Sequence, residues 1–265
     1  MSRPVERAQE EELANSLPDT PTTFGPRCVL LRHIGRAWAI GPHSRPHAAI
    51  VQAAWQPREV MAFGEEVVEI GRLLRSVPGW DAVHCREELA EPLGRVITRE
   101  FGWPTRMVRD LYFTLDDPPA VFRHPAVRRL SESDLALIEA APPELGLAGF
   151  DSPLAALSGG VAAGAVVEGQ LVGLVSMTVS SEMHADLAAA VLEPWRRRGI
   201  ARAAASLVAA EVQARGLRPV WSTGEENLAS QAVARAVGFR EHGTMAYVVV
   251  PSLQRAGGFD PTHGR

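Results

Sequence analysis

Residues 191–216 read VLEPWRRRGIARAAASLVAAEVQARG, and here a run of three arginines ends in a glycine that opens directly into an alanine-rich segment. The pattern predicts a helix from Gly199 to Arg215 that is apolar around most of its circumference and packed on nearly all sides. Such a helix leaves its first N–H groups without intrahelical partners, at the positive end of its dipole. The turn is therefore a candidate phosphate site, and the alternative is a solvated basic turn between two core elements. The narrow polar stripe of the helix consists of Arg202, Ser206 and Gln213.

Composition excludes several other classes of site. The sequence has no GxGxxG motif, and a Walker loop needs a lysine, whereas all 27 basic residues are arginine. The 31 acidic residues give a net charge of -4, which disfavours nucleic-acid binding. His184 and His242 lie too far from other ligand types to indicate a metal site.

The chain has the features of a cytoplasmic protein. Cys28 and Cys85 are far apart and fit no metal-binding or CxxC spacing, which favours free thiols in a reducing compartment. No apolar run is long enough for a membrane span, and the first residues are charged. We expect no membrane partner.

The length of 265 residues, 46% of them hydrophobic, suits two modest domains. The proline-rich stretch LDDPPAVFRHP, residues 115–125, predicts a boundary. We expect a mixed α/β N-terminal domain of unassigned role at 1–117 and a second domain at 118–265. No repeat of about 20 to 50 residues is visible.

Periodicity predicts the elements of both domains. In the first, residues 28–34, 36–42, 48–55 and 106–115 are predicted strands, and 65–77 and 86–102 are predicted helices. In the second, we expect a strand, a helix begun by Ser131 and Asp134, an antiparallel meander turning at Glu168-Gly169, the arginine-led helix, a strand, a helix and final strand structure. The fold class is α/β (α+β), with a mostly antiparallel sheet flanked by helices.

Two motifs in the second domain carry a family resemblance. The segment from Arg196 to Ala201 matches the pattern [R/Q]xxGx[G/A] that follows a proline-containing turn, and Asn227, Gly238 and Phe239 match an Asn-then-GF spacing. Residues 125–249 thus resemble the GNAT superfamily of N-acetyltransferases, which bind acetyl-CoA. The two-part layout is further similar to a subgroup that includes zwittermicin-resistance-like acetyltransferases.

The resemblance implies where acetyl-CoA would bind as co-substrate. The strand carrying Val191 would diverge from the PVWST strand and pair with the pantetheine arm, and the diphosphate would lie on the N–H groups from Arg197 to Ala201. Asn227 would bind pantetheine or simply cap its own helix, and Ser230 is a second ligand or a surface hydroxyl. The expected cofactor-binding residues are Val191, Arg196, Arg197, Arg198, Gly199, Ile200, Ala201, Asn227 and Ser230.

The catalytic residues are less well indicated. The tyrosine that many family members place seven residues after the asparagine is Ala234 here, which leaves Tyr247 as a candidate acid or as an ordinary strand residue. The candidate bases are Glu182, His184 and Asp186, which alternation would place on one face. A polar strand edge facing water is the alternative for all three.

The resemblance implies an N-acetyltransferase that moves an acetyl group to a primary amine of a small molecule or peptide. The missing tyrosine keeps open an alternative, a catalytically silent acyl-CoA-binding or sensing module. Neither the amine nor the oligomeric state can be read from the sequence.

Overall fold

The computed structural model describes residues 2–150 and 152–251, and these form two compact units. The first unit comprises the described residues 2–111 and 243–251, and the second comprises 112–150 and 152–242. The predicted fold class is confirmed in both: helices flank sheets in which most of the described pairings are antiparallel.

The first unit starts with two helices and an antiparallel three-stranded meander, after which helices and strands alternate. Its elements are α1 (Arg7–Ser16), α2 (Phe24–Leu31), β1 (Gly35–Ile40), β2 (Ala48–Ala53), β3 (Glu59–Gly64), α3 (Val67–Leu74), β4 (Ala82–Cys85), α4 (Glu87–Phe101) and β5 (Arg106–Thr114), whose last residues belong to the second unit. Strand β3 pairs with β4 in parallel.

Helices cover both faces of this sheet. Consecutive strand residues point to opposite faces, and in β2 both sets are mainly apolar. Ile50 packs in one core cluster with Leu93 of α4, whereas the next residue, Val51, packs in another with Leu13 of α1. The strand predicted at residues 48–55 is thus confirmed as β2, although both of its faces are mainly apolar and its burial does not alternate.

The second unit repeats the pattern of two helices, a meander and alternating elements after one short strand. Its elements are β6 (Val127–Arg129), α5 (Leu135–Glu139), α6 (Pro153–Gly159), β7 (Ala162–Val167), β8 (Gln170–Ser180), β9 (His184–Val191), α7 (Ile200–Ala214), β10 (Arg218–Gly224), α8 (Leu228–Val237) and β11 (Arg240–Val249), whose residues from Gly243 onward belong to the first unit. Strands β9 and β10 pair in parallel across α7.

Helix α7 is buried along most of its length, as its composition predicted. The side chains of its polar stripe also form hydrogen bonds within the unit. The Ser206 hydroxyl donates to the Ala120 carbonyl at 2.7 Å, and the Gln213 amide donates to the Leu115 carbonyl at 3.2 Å. The proline-rich segment that predicted a boundary is thus held on α7 within the second unit.

The structure differs from the sequence prediction at several places, and one of them is helix α6 (Pro153–Gly159), which was not predicted. Residues 28–34 were predicted as a strand, but helix α2 runs to Leu31, because a short buried apolar run does not distinguish strand from helix. The predicted second domain extended to the chain end, whereas described residues from Gly243 onward belong to the first unit. The reason is that β11 pairs with β4, through Ala246 opposite Cys85.

Asp134 anchors the start of α5. The Arg128 guanidinium donates two hydrogen bonds to its carboxylate, at 2.6 and 2.9 Å, and the Ser131 N–H donates a third at 2.9 Å. The hydrogen bond from Arg128 is the main reason that the pKa of Asp134 falls from 3.8 to about 2.

We expect Asp134→Asn to lower the free energy of unfolding by about 1–2 kcal/mol at neutral pH, allowing for the partial exposure of Arg128. Because the folded-state pKa lies below the unfolded value, this contribution is present above about pH 4 and is lost as the pH falls toward about 2. Urea unfolding of both proteins across this range measures the difference. Glu132→Gln, in the same turn and exposed, is the control, and an equal effect of both variants would contradict the assignment.

Candidate functional site

The parallel strands β9 and β10 diverge, and a cavity opens where they do. Their pairing ends at Asp186 opposite Val220, although β9 continues to Val191. A cavity of about 840 Å³ lies along the unpaired part of β9, with Trp221 of β10 on its wall. The backbone groups on the edge of β9 that faces away from β8 are therefore available to a bound molecule, except the Val191 carbonyl, which accepts from Arg196.

The turn before α7 lines the same cavity and presents unpaired backbone donors. Arg197 has φ 60° and Gly199 has φ 84°, so the chain is left-handed at two positions of the turn. The first hydrogen bond of the helix runs from the Ala203 N–H to the Gly199 carbonyl at 3.1 Å. The N–H groups of residues 199–202 thus have no acceptor within the helix and lie at the positive end of its dipole.

The arginines of this turn are held in place without carboxylate partners. The Arg196 Nε donates to the Val191 carbonyl at 3.0 Å, which ties the turn to the end of β9. The guanidinium of Arg198 lies 4.8 Å from the ring centre of Trp195. Within the described residues, Arg196, Arg197, Arg198 and Arg202 form no ion pair with a carboxylate, so their charge remains available to an anion.

The first turn of α8 forms another wall of the cavity. The Asn227 side-chain oxygen accepts from the Ser230 N–H at 3.1 Å, and the Ser230 hydroxyl accepts from the Trp221 indole N–H at 2.9 Å. Asn227 and Ser230 both line the cavity. The helix cap proposed for Asn227 is therefore present, and binding of a ligand by its amide nitrogen stays a prediction.

Comparison with known proteins adds to this geometry. Residues 131–239 match the sequence model of the Acetyltransferase (GNAT) family. The second unit therefore contains a GNAT acetyltransferase domain. No curated protein matches the chain.

Solved structures share the fold over nearly the whole chain. A GCN5-related N-acetyltransferase-like protein from Streptococcus suis is 17% identical with a TM-score of 0.66, over 91% of this chain and 98% of that one. A GNAT-family acetyltransferase from Colwellia psychrerythraea is 12% identical with a TM-score of 0.57, over 94% and 99% of the two chains. A GCN5-related N-acetyltransferase from Sphaerobacter thermophilus is 15% identical with a TM-score of 0.54, over 94% of each chain.

The candidate bases of the GNAT domain occupy different environments. His184 and Asp186 lie on β9 and are buried, and the Asp186 carboxylate accepts from the Thr178 hydroxyl at 2.7 Å. Asp186 is the last residue of β9 that pairs with β10, so it lies at the point of divergence. Glu182 lies in the turn before β9 and is exposed, so it does not share a strand face with the other two.

Tyr247 belongs to the first unit, whereas the cavity and Asp186 belong to the GNAT-containing unit. Its side chain is buried, and its hydroxyl donates to a Glu59 carboxylate oxygen at 3.0 Å. Its ring centre lies 4.5 Å from that of His84. These contacts hold Tyr247 within the first unit, and its action as an acid stays a prediction.

Sequence reasoning missed several cavity residues of the GNAT domain. Trp195 and Trp221 line the cavity, as do the small residues of β9 and α8. The two tryptophans flank the quoted motifs in the sequence and were a usable signal. The alanines gave no such signal, because alanine is common throughout this part of the sequence. The further lining residues are Glu144, Ala189, Ala190, Glu193, Ala229, Ala232 and Val233.

Metal-binding clusters and membrane-spanning helices are absent from the described parts of the chain. No group of three or more His, Cys, Asp or Glu side chains there could hold a metal ion. Among the helices at 2–150 and 152–251, none is both long and apolar enough to cross a membrane.

We expect Asn227→Ala to lower the free energy of unfolding by about 1 kcal/mol, because the first turn of α8 loses its cap. Asn227→Asp keeps an acceptor at the same place and should cost only a fraction of this. Thermal unfolding of the two variants beside the wild type measures both effects. Equal stability of the alanine variant and the wild type would show that the cap contributes nothing.

Proposed function

We propose that the GNAT domain is an acetyl-CoA-dependent N-acetyltransferase that moves the acetyl group to a primary amine of a small molecule or peptide. The observation that carries this proposal is the divergence of β9 and β10 directly in front of the unpaired N–H groups at the start of α7. The cavity between them joins an exposed strand edge to an anion site, and acetyl-CoA has a peptide-like arm joined to a diphosphate.

Each part of the cavity has a proposed role. The N–H groups from Arg197 to Ala201 bind the diphosphate, with the unpaired arginine side chains adding charge. The unpaired edge of β9 up to Val191 bonds the amides of the pantetheine arm. Asn227 adds its side-chain N–H as a further donor, and Ser230, already engaged by Trp221, supports the wall.

The proposed reaction is a direct transfer. The neutral amine nitrogen attacks the thioester carbonyl carbon, the carbon–sulfur bond then breaks, and the sulfur leaves as the CoA thiolate. Asp186, at the point of divergence, takes the proton that the nitrogen loses, or orients the amine while water takes it. Because the pKa of a thiol is about 8.5, CoA can leave as the thiolate without a dedicated acid, which is consistent with Ala234 in place of tyrosine.

Two further features belong to the same proposal. The narrower likeness to zwittermicin-resistance-like acetyltransferases rests on the two-part layout. A cytoplasmic location is consistent with Cys28 and Cys85, which are both buried free thiols. Burial is the main reason that the pKa of the Cys28 thiol is raised to about 11 and that of Cys85 to about 12, so neither is a reactive thiolate at neutral pH.

The anion site is tested by strain at Gly199. We expect Gly199→Val to weaken acetyl-CoA binding at least about tenfold, because a branched residue disfavours φ 84° and the turn would change shape. Gly216→Val is the matched control: it also has a positive φ and open space around it, at the other end of α7. Isothermal titration should show near-normal affinity for this control and a smaller loss for Arg202→Gln than for Gly199→Val. The reverse order would contradict backbone binding of the diphosphate.

The transferase reaction is tested by release of free CoA with a panel of primary amines. We expect Asp186→Asn to lower kcat by about 10²- to 10⁴-fold with acetyl-CoA affinity nearly unchanged. Thr178→Val removes the hydrogen bond to this carboxylate but leaves the charge, and it should have a much smaller effect. Full activity of Asp186→Asn at every pH would leave water as the base. Binding of acetyl-CoA without turnover of any amine would favour the silent module.

A further inference from the structure

The two halves of the chain have the same order of elements. The first half runs α1, α2, β1, β2, β3, α3, β4, α4, β5, and the second runs α5, α6, β7, β8, β9, α7, β10, α8, β11. In both, the three-stranded meander is antiparallel and its third strand pairs in parallel with the strand beyond the crossover helix. The parallel pairing involves corresponding residues in both halves: residues 59–61 pair with 82–84, and residues 184–186 pair with 218–220.

Left-handed glycines recur at the same places in both halves. Of the nine glycines with positive φ among the described residues, eight form pairs about half the chain length apart. They lie in the first hairpin, before the crossover helix, after it, and at the end of the next helix. The pairs are Gly41 and Gly169, Gly64 and Gly199, Gly79 and Gly216, and Gly102 and Gly238. Backbone constraints of this kind persist when side chains diverge, so they indicate a duplicated unit.

The turn before the crossover helix has opposite chemistry in the two copies. The second copy has three arginines there, whereas the first has Glu65 and Glu66. The Glu66 N–H donates to the His47 carbonyl at 3.4 Å and the Val67 N–H to the Glu65 carbonyl at 3.1 Å. Amides that are free at the start of α7 are thus already bonded at the start of α3, and carboxylates stand where a diphosphate would need cations.

The first copy also lacks the carboxylate at the end of the parallel pairing. Met61, opposite His84, is the last paired residue of β3, and its counterpart in the second copy is Asp186, opposite Val220. A thioether cannot take a proton from an amine. The first copy therefore lacks both the arginine-rich turn and a carboxylate at the counterpart of Asp186.

We propose that the chain is a duplicated acyltransferase-type unit in which only the second copy binds acyl-CoA, so that each chain takes one molecule. This inference rests on the proposed function. A cavity of about 640 Å³ remains at the counterpart turn, but there Glu65 and Glu66 lie beside its two arginines, Arg45 and Arg86, and Arg86 pairs with Glu65. Among the described residues, the arginines before α7 have no such carboxylate partners.

The number of sites is measured by isothermal titration of the full-length chain with acetyl-CoA. We expect one site per chain in the wild type and binding at that site weakened at least about tenfold by Gly199→Val. The combined substitution Glu65→Gln with Glu66→Gln should leave both the number of sites and the affinity unchanged. If Gly199→Val is poorly folded, Arg197→Gln combined with Arg198→Gln removes charge from exposed side chains instead, and should weaken the same single site at least about tenfold.

The possible results separate this inference from the proposed function. Two sites per chain, or a site that survives Gly199→Val and responds to the glutamate substitutions, overturns the inference and leaves the proposed transferase intact. If one site is found but no amine causes release of free CoA, the proposed transferase reaction is overturned and the inference is supported. No binding of acetyl-CoA by the wild type overturns both.

Discussion

The register between β9 and β10 is the constraint on which the rest of the second unit depends. Because the two strands pair only as far as Asp186 and Val220, the edge of β9 beyond that point is not paired with β10, and its last carbonyl, that of Val191, accepts from Arg196. Helix α7, which connects the strands, begins beside the opening, and its left-handed first residue leaves its N–H groups exposed to the cavity. A strand edge and a helix terminus, both costly to leave unpaired, therefore meet in one place.

Helix α7 can hold this position because it is packed on its polar side as well as its apolar side. Its buried alanines and valines contact the strands of the unit, and its polar stripe binds the carbonyls of residues 115–120. A helix held by its apolar face and by its polar side chains cannot rotate to bring a neighbouring carbonyl to the N–H groups of its first turn. The anion site thus depends on packing that lies far from the arginines in the sequence.

The comparison of the two copies shows how much of such a site depends on a few residues. Both copies keep the meander, the crossover helix and the left-handed glycines, because these determine whether the backbone can follow the same path. What differs is the chemistry of one turn and one strand position. Carboxylates at Glu65 and Glu66, and Met61 in place of a carboxylate, leave the fold unchanged while removing what an acyl donor needs.

The sequence by itself predicted most elements of the second unit and the residues of its candidate anion site. Local signals suffice for these: the glycine after the arginines, the Ser131 and Asp134 box, the Glu168-Gly169 turn and the asparagine cap all act within a few residues. Tertiary structure decided what depends on distant pairing. It placed Tyr247 in the first unit, since β11 pairs with β4. It showed that the predicted strand β2 is buried on both faces, and that the strand predicted at residues 28–34 is helix α2 up to Leu31, since a short apolar run does not distinguish the two. It also revealed the duplication, because the two copies share backbone geometry and strand register, and these leave little trace in side-chain identity.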